Sequence, residues 1–117
     1  MDSRKIKGFR AESEAVEYLA GKGYHILERN YRFDRGEIDI VARYGKELVF
    51  VEVKARSSSA YGEPEDALTP YKCRQIQRVA DGYLQEHGLD EIEYRFDIVA
   101  IEYRPRATIL RHLRDAF

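Results

Sequence analysis

Gly36-Glu37-Ile38-Asp39-Ile40-Val41-Ala42-Arg43-Tyr44-Gly45-Lys46-Glu47-Leu48-Val49-Phe50-Val51-Glu52-Val53-Lys54-Ala55-Arg56 is the stretch that decides how this chain is read. Two apolar runs flank Arg43-Tyr44-Gly45-Lys46-Glu47, and a two-residue turn with glycine first joins antiparallel strands. Tyr44 then faces Glu47. Counting back along both strands, Asp39 falls opposite Glu52 and Glu37 opposite Lys54. Strand side chains alternate between faces, so Glu52 and Lys54 point the same way. Directly opposed side chains have Cβ atoms about 5 Å apart. Two carboxylates at that separation repel unless a cation or a shared proton relieves them. The pattern reads as half of a divalent-metal site with a lysine beside it.

The same register places Ile38, Ile40, Val51 and Val53 together on one uniformly apolar face. The other face is mixed, with Val41, Leu48 and Phe50 towards the turn and the charged residues at the far end. Apolar residues on both faces imply cover on both sides, and sheltered charges need partners. The plain structural alternative is an edge hairpin carrying a solvated ion-pair cluster, which contributes little to stability.

The rest of the chain sets bounds. Its 117 residues, 44% hydrophobic and 35% charged, describe a single domain over residues 1–117 with a heavily charged surface. No stretch approaches the roughly 20 apolar residues of a membrane span. The N-terminal Met1-Asp2-Ser3-Arg4-Lys5-Ile6-Lys7 lacks the apolar run of a secretory signal. One cysteine, Cys73, excludes an internal disulfide, and a reducing, cytoplasmic setting is the simplest reading of it. A net charge of −1 gives no support to indiscriminate nucleic-acid binding. Locally, Arg4, Lys5, Lys7 and Arg10 precede the first helix, and Arg29, Arg32 and Arg35 crowd the approach to the hairpin. Arg56 follows Lys54, while Lys72, Arg74 and Arg78 lie on a second helix. Singly these are solvated positions; converging on an acidic site, they suit a polyanion.

Gly8, Ala11, Glu12, Ala15, Val16 and Leu19 form one helical stripe over residues 8–22, with Gly23 as its stop. Glu12 is the anomaly. It is either a partly exposed stripe edge or a third carboxylate directed at the sheet. Tyr24 to Phe33 reads as the first strand, Asp34-Arg35-Gly36 as a turn, and 37–44 with 47–56 as the hairpin. Residues 57–62 form a polar loop, and residues 63–68 a short helical turn. Thr69-Pro70 starts the second helix with a hydroxyl cap and a proline at the first position. Its stripe is Ile76, Val79, Ala80, Tyr83 and Leu84, and Gly88 ends it. Cys73 reads as a packing residue. Residues 93–103 alternate as a strand, and residues 107–112 form a short terminal one. Asp97, within an apolar run, reads as a buried acid held by backbone or arginine. The fold class is α/β, a mixed sheet flanked by helices in the order α-β-β-β-α-β plus a terminal strand.

There is no phosphate-binding glycine fingerprint, no zinc-type Cys/His spacing and no His-Glu-x-x-His pattern. His25, His87 and His112 are scattered, with solvent or packing as their default. Oxygen ligands with a lysine remain, and these select hard cations, Mg2+ or Mn2+.

Asp39 followed by Glu52-Val53-Lys54 resembles the split acidic motif of the PD-(D/E)xK, or restriction endonuclease-like, nucleases. Gly8-Phe9-Arg10-Ala11-Glu12, Gly36-Glu37-Ile38-Asp39, Val51-Glu52-Val53-Lys54-Ala55-Arg56 and Arg95-Phe96-Asp97-Ile98-Val99 together resemble the YraN-type family of uncharacterised small bacterial proteins, over nearly the whole chain. The first helix and hairpin are also similar to archaeal Holliday-junction resolvases. Glu-Ile-Asp stands where the superfamily name has Pro-Asp.

The resemblance implies a restriction endonuclease-like core and metal-dependent phosphodiester hydrolysis in DNA, in preference to RNA, or in another structured nucleic acid, within repair or recombination. It implies Glu12, Asp39 and Glu52 as metal ligands, with the Val53 carbonyl as a further one. It makes Asp39, Glu52 and Lys54 catalytic, with Lys54 orienting the attacking water or stabilising charge on the phosphorane. Glu37 offsets Lys54 or supports a ligand, and Arg56 and Lys72 position phosphates. Analogy with the resolvases implies a homodimer. The competing expectations are an accessory nucleic-acid-binding module that keeps the fold without turnover, and a protein-interaction module with a surface acidic cluster.

Overall fold

The computed structural model of the chain describes residues 3–57, 66 and 68–117, with side chains from Gly8 onward. Its elements are α1 (Ser3–Gly21), β1 (His25–Phe33), β2 (Gly36–Tyr44), β3 (Glu47–Arg56), α2 (Pro70–Glu86), β4 (Tyr94–Arg104) and β5 (Ala107–Leu113). The strands form one five-stranded sheet in sequence order. β3 and β4 are parallel and every other neighbouring pair is antiparallel. A parallel pair needs a crossover, and α2 supplies it. The order expected from the sequence is therefore the observed one. The expected loop over 57–62 and helical turn over 63–68 fall mostly outside the described residues, which there are Ser57, Asp66 and Leu68.

Strand alternation divides the core between two faces. On one, Ala11, Ala15 and Leu19 of α1 pack on Ile40, Ala42, Val49, Val51, Val99 and Ile101. On the other, Ile76, Val79, Ala80 and Tyr83 of α2 pack on Val41, Leu48, Phe50 and Phe96. Small residues on the α1 stripe let that helix lie close to the sheet. α2 begins as the sequence indicates: Thr69 is extended, and its hydroxyl accepts the Lys72 amide at 3.2 Å. Two glycines seat α2. A Cβ on Gly82 would overlap the Phe33 ring, and one on Gly36 would overlap Val79.

The hairpin register holds near the turn. Tyr44 pairs with Glu47, and pairing continues to Ile40 with Val51. Gly45 takes the left-handed conformation that the turn requires, φ 61°. Beyond Ile40 the expected register fails, because β2 and β3 are no longer paired and Asp39 does not sit directly opposite Glu52. Nor does Ile38 share a face with Ile40. Ile38 packs on the α2 side, while Ile40, Val51 and Val53 stay on the α1 side. The alternation of β2 is interrupted at Asp39. On β1, Asn30 has φ 53°, and the pairing there runs from Arg29–Ile40 directly to Tyr31–Ile38. One side chain per strand is thereby rotated out of strict alternation, as a strand irregularity does.

Asp97 is fully buried and holds a polar network. It accepts Arg95 Nε at 2.9 Å and the Asp115 amide at 3.0 Å, and pairs with His112 Nε2 at 2.7 Å. Arg95 also donates to Tyr24 Oη at 2.7 Å and to Glu47. The structural reading of Asp97 is the observed one. His112, read as scattered, belongs to this network, and its Nδ1 lies 3.2 Å from Tyr18 Oη. The His112 and Asp115 contacts join Asp97 to residues 15 and 18 positions away, which is why spacing along the chain did not show them.

Candidate functional site

The gap between β2 and β3 is where the predicted acids sit. With the ladder ended at Ile40, the Val53 amide would lose its strand partner. Asp39 replaces it, its Oδ2 accepting that N–H at 2.8 Å. The Glu52 carboxyl in turn receives a hydrogen bond from the Asp39 amide. Each acid thus caps the other's strand across the opening.

Two cavities flank this point. One, of about 390 Å³, is lined by Gly8, Ala11, Glu12, Asp39, Val53, Lys54 and Ala55. The other, of about 180 Å³, includes Glu37, Glu52, Lys54, Lys72, Gln75 and Ile76 in its wall. Lys54 reaches both. Glu12 of α1 therefore does point at the sheet, choosing between the two readings of the helix stripe. Glu37, expected opposite Lys54, shares its cavity but faces Arg32, 3.5 Å away in an exposed ion pair. Arg56 lies on the Glu52 and Lys54 side of β3, beside Glu102 of β4.

The expected triad is not assembled as one cluster. Among the described residues, no three His, Cys, Asp or Glu side chains converge in a ligating geometry. The acids form two pairs, Glu12 with Asp39 and Asp39 with Glu52, and Asp39 is common to both. The break at Asp39 is the reason, because it turns Glu12's neighbour to the α1 side and leaves Glu52 on the α2 side.

The electrostatics follow from that crowding. Burial first, and then the Asp39 charge, push Glu52 up to about 8, against relief from Lys54 and the Asp39 amide. Asp39 is itself raised, mainly by burial, with the Val53 amide and Lys54 opposing. Glu12 is raised by burial and by Asp39, with Arg29 and Asn30 opposing. Glu12 Oε1 and Glu52 Oε1 are buried and accept no hydrogen bond among the described residues. Buried polar atoms left unpaired are costly and call for an explanation. Arg56 Nε and Nη2 are also buried and find no acceptor among the described residues. Arg29 and Asn30, on the irregular stretch of β1, were not singled out as site residues from the sequence. The first only registered as one of several clustered arginines, and no local signal marks the second.

The fold and this site define a class: an α/β protein with one helix on each face of a mixed sheet, and a carboxylate-lysine cluster where two strands part. The chain belongs to the uncharacterised protein family UPF0102, the YraN family, whose model matches residues 11–101. It is 46% identical over 114 residues to the UPF0102 protein of Geobacter sulfurreducens, covering 97% of this chain and 89% of that one. It is 43% identical over 110 residues to the one from Christiangramia forsetii, covering 94% and 92%. It is 45% identical over 118 residues to the one from Chlorobaculum parvum, covering 94% and 90%. Those names state no activity. No helix among the described residues is long and apolar enough to cross a membrane.

Proposed function

We propose that this protein is a divalent-metal-dependent nuclease that hydrolyses phosphodiester bonds in DNA or structured nucleic acid. The observation that carries the reading is the pair of buried carboxylate oxygens, Glu12 Oε1 and Glu52 Oε1, on either side of Asp39, which accept no hydrogen bond among the described residues. Three acids are pushed towards protonation, and among the described residues those two oxygens accept no hydrogen bond, with Arg29 at 3.8 Å from Glu12 as the cation beside the first. The donors are all oxygen, which favours Mg2+ or Mn2+. Asp39, with Glu12 on one side and Glu52 on the other, would hold one or two such ions, which would supply polarisation of a phosphate oxygen and a water of lowered pKa.

The chain's own groups do the rest. Lys54, reaching both cavities, stabilises negative charge that develops on the phosphate. Arg56 offers two buried donors without an acceptor, the complement of a phosphate oxygen pair. Lys72 lines the Glu52 cavity and adds charge that positions the backbone of the nucleic acid. Glu37 offsets Lys54 within the same cavity.

A binding module without turnover is the second reading. It is favoured by one observation, that the three acids form two pairs rather than one cluster. Incubating the protein with labelled duplex, single-stranded, flapped and four-way-junction DNA and a structured RNA, in Mn2+, Mg2+ or EDTA, separates the two. The nuclease reading expects metal-dependent cleavage that Asp39→Asn and Lys54→Ala abolish. Binding that survives both substitutions without cleavage by any form supports the module instead.

A further inference from the structure

We infer that Phe9 and Arg29 form a stacking subsite for an unpaired nucleobase at the rim of the Glu12–Asp39 cavity. The inference deepens the nucleic-acid reading above and rests on it.

Phe9 is 70% exposed, the highest value among the described large apolar side chains. A lone exposed apolar residue is ordinary. Its surroundings are not. Phe9 follows Gly8, which lines the cavity wall and has open space where a Cβ would stand. It precedes Glu12 by one helical turn, so ring and carboxyl lie on neighbouring parts of α1. Across from it, the Arg29 guanidinium stands 5.8 Å from the ring centroid. Arg29 is held there by Ser13 Oγ at 3.3 Å and Glu12 Oε1 at 3.8 Å. An aromatic face and an anchored guanidinium plane are the two surfaces on which bases stack.

The geometry also selects the kind of strand. Within a duplex, base faces are covered by their neighbours and only the edges show in the grooves. A ring on the surface of a helix therefore stacks most readily with a base that has left its pair. The subsite suits single strands, flaps and frayed ends rather than continuous duplex. Phe9 would hold the base while the adjoining phosphate enters the cavity that Lys54 lines.

The test uses oligonucleotides carrying 2-aminopurine, as a deoxy single strand, as the ribo equivalent and within a blunt deoxy duplex. Calcium replaces manganese, so that binding is read without turnover. Fluorescence quenching on binding of the single strands is expected for the wild type and Phe9→Tyr. For Phe9→Ala the quench disappears and single-strand affinity falls about tenfold, while duplex affinity changes less than twofold. The deoxy and ribo strands show which sugar the subsite accepts. If Phe9→Ala binds single strands as the wild type does, or loses single strands and duplex equally, the inference is overturned. Cleavage by the wild type in manganese is scored separately. Quenching without cleavage keeps the subsite and removes the nuclease reading; neither quenching nor binding removes both.

Discussion

Replacing Glu52 with glutamine asks whether this buried carboxyl holds its proton near neutral pH. Burial, then the charge on Asp39, raises it from 4.5 to about 8. In the unfolded chain it titrates near the ordinary value. Between those two pH values the folded protein therefore binds more protons than the unfolded one. Its contribution is fully present below pH 4.5 and is lost as pH rises through about 8. At about 1.4 kcal/mol for each pH unit of separation, the ceiling on that loss is roughly 5 kcal/mol. Sharing of the proton with Asp39 brings the expected loss between pH 5 and 9 to roughly 2–4 kcal/mol. That is a large fraction of a typical domain's total of about 5–15 kcal/mol. Glutamine keeps the shape and stays neutral, so its stability is much flatter over the same range. The two curves cross: Glu52→Gln is similar to or slightly less stable than the wild type at pH 5, and more stable by roughly 2–4 kcal/mol at pH 9. Urea unfolding in EDTA, followed by the fluorescence of the nine tyrosines in this tryptophan-free chain, measures both. Manganese at pH 8.5 should then stabilise the wild type by mass action and leave the variant nearly unmoved. Parallel stability curves for the two proteins from pH 5 to 9 would refute the reasoning outright, because they would mean that Glu52 titrates alike folded and unfolded.

Three other outcomes are expected. Gly82→Ala should destabilise by about 1–3 kcal/mol in thermal unfolding, since the new methyl overlaps the Phe33 ring and this outweighs alanine's helix propensity; a stabilised variant contradicts the packing. Asp97→Asn should cost about 3–5 kcal/mol, because buried Arg95 loses its fully buried ionic partner and keeps only the part-exposed Glu47. Burial alone would raise Asp97, but His112, Arg95 and the Asp115 amide together lower it, so its contribution is present above pH 3.8 and lost as pH falls through the lower folded value; an acid unfolding midpoint unchanged in Asp97→Asn counts against this. Arg56→Met should leave stability unchanged or raised, since it removes two buried donors without acceptors, while weakening nucleic-acid binding and reducing the slope of its salt dependence by about one; equal salt slopes remove Arg56 from the phosphate path.

What the sequence by itself determined is whatever depends on short-range pattern. The glycine-centred turn set the hairpin register from Ile40 to Val51, and the threonine-proline pair set the start of α2. Spacing along α1 put Ala11, Ala15 and Leu19 in the core and marked Glu12 as the acid out of place. The acids and Lys54 were visible because charges within apolar strands are costly and stand out. Tertiary structure alone decided how those groups are arranged. Strand alternation predicts faces only while a strand stays regular, and Asn30 and Asp39 break that regularity where β2 leaves β3. The break sends Ile38 to the α2 side, lets Asp39 cap the Val53 amide, and divides the carboxylates between two cavities with Lys54 common to both. The contacts of Asp97 with His112 and of Glu12 with Arg29 likewise join residues far apart in the chain. Such pairings depend on how the helices and outer strands close over the sheet, and no local pattern encodes that.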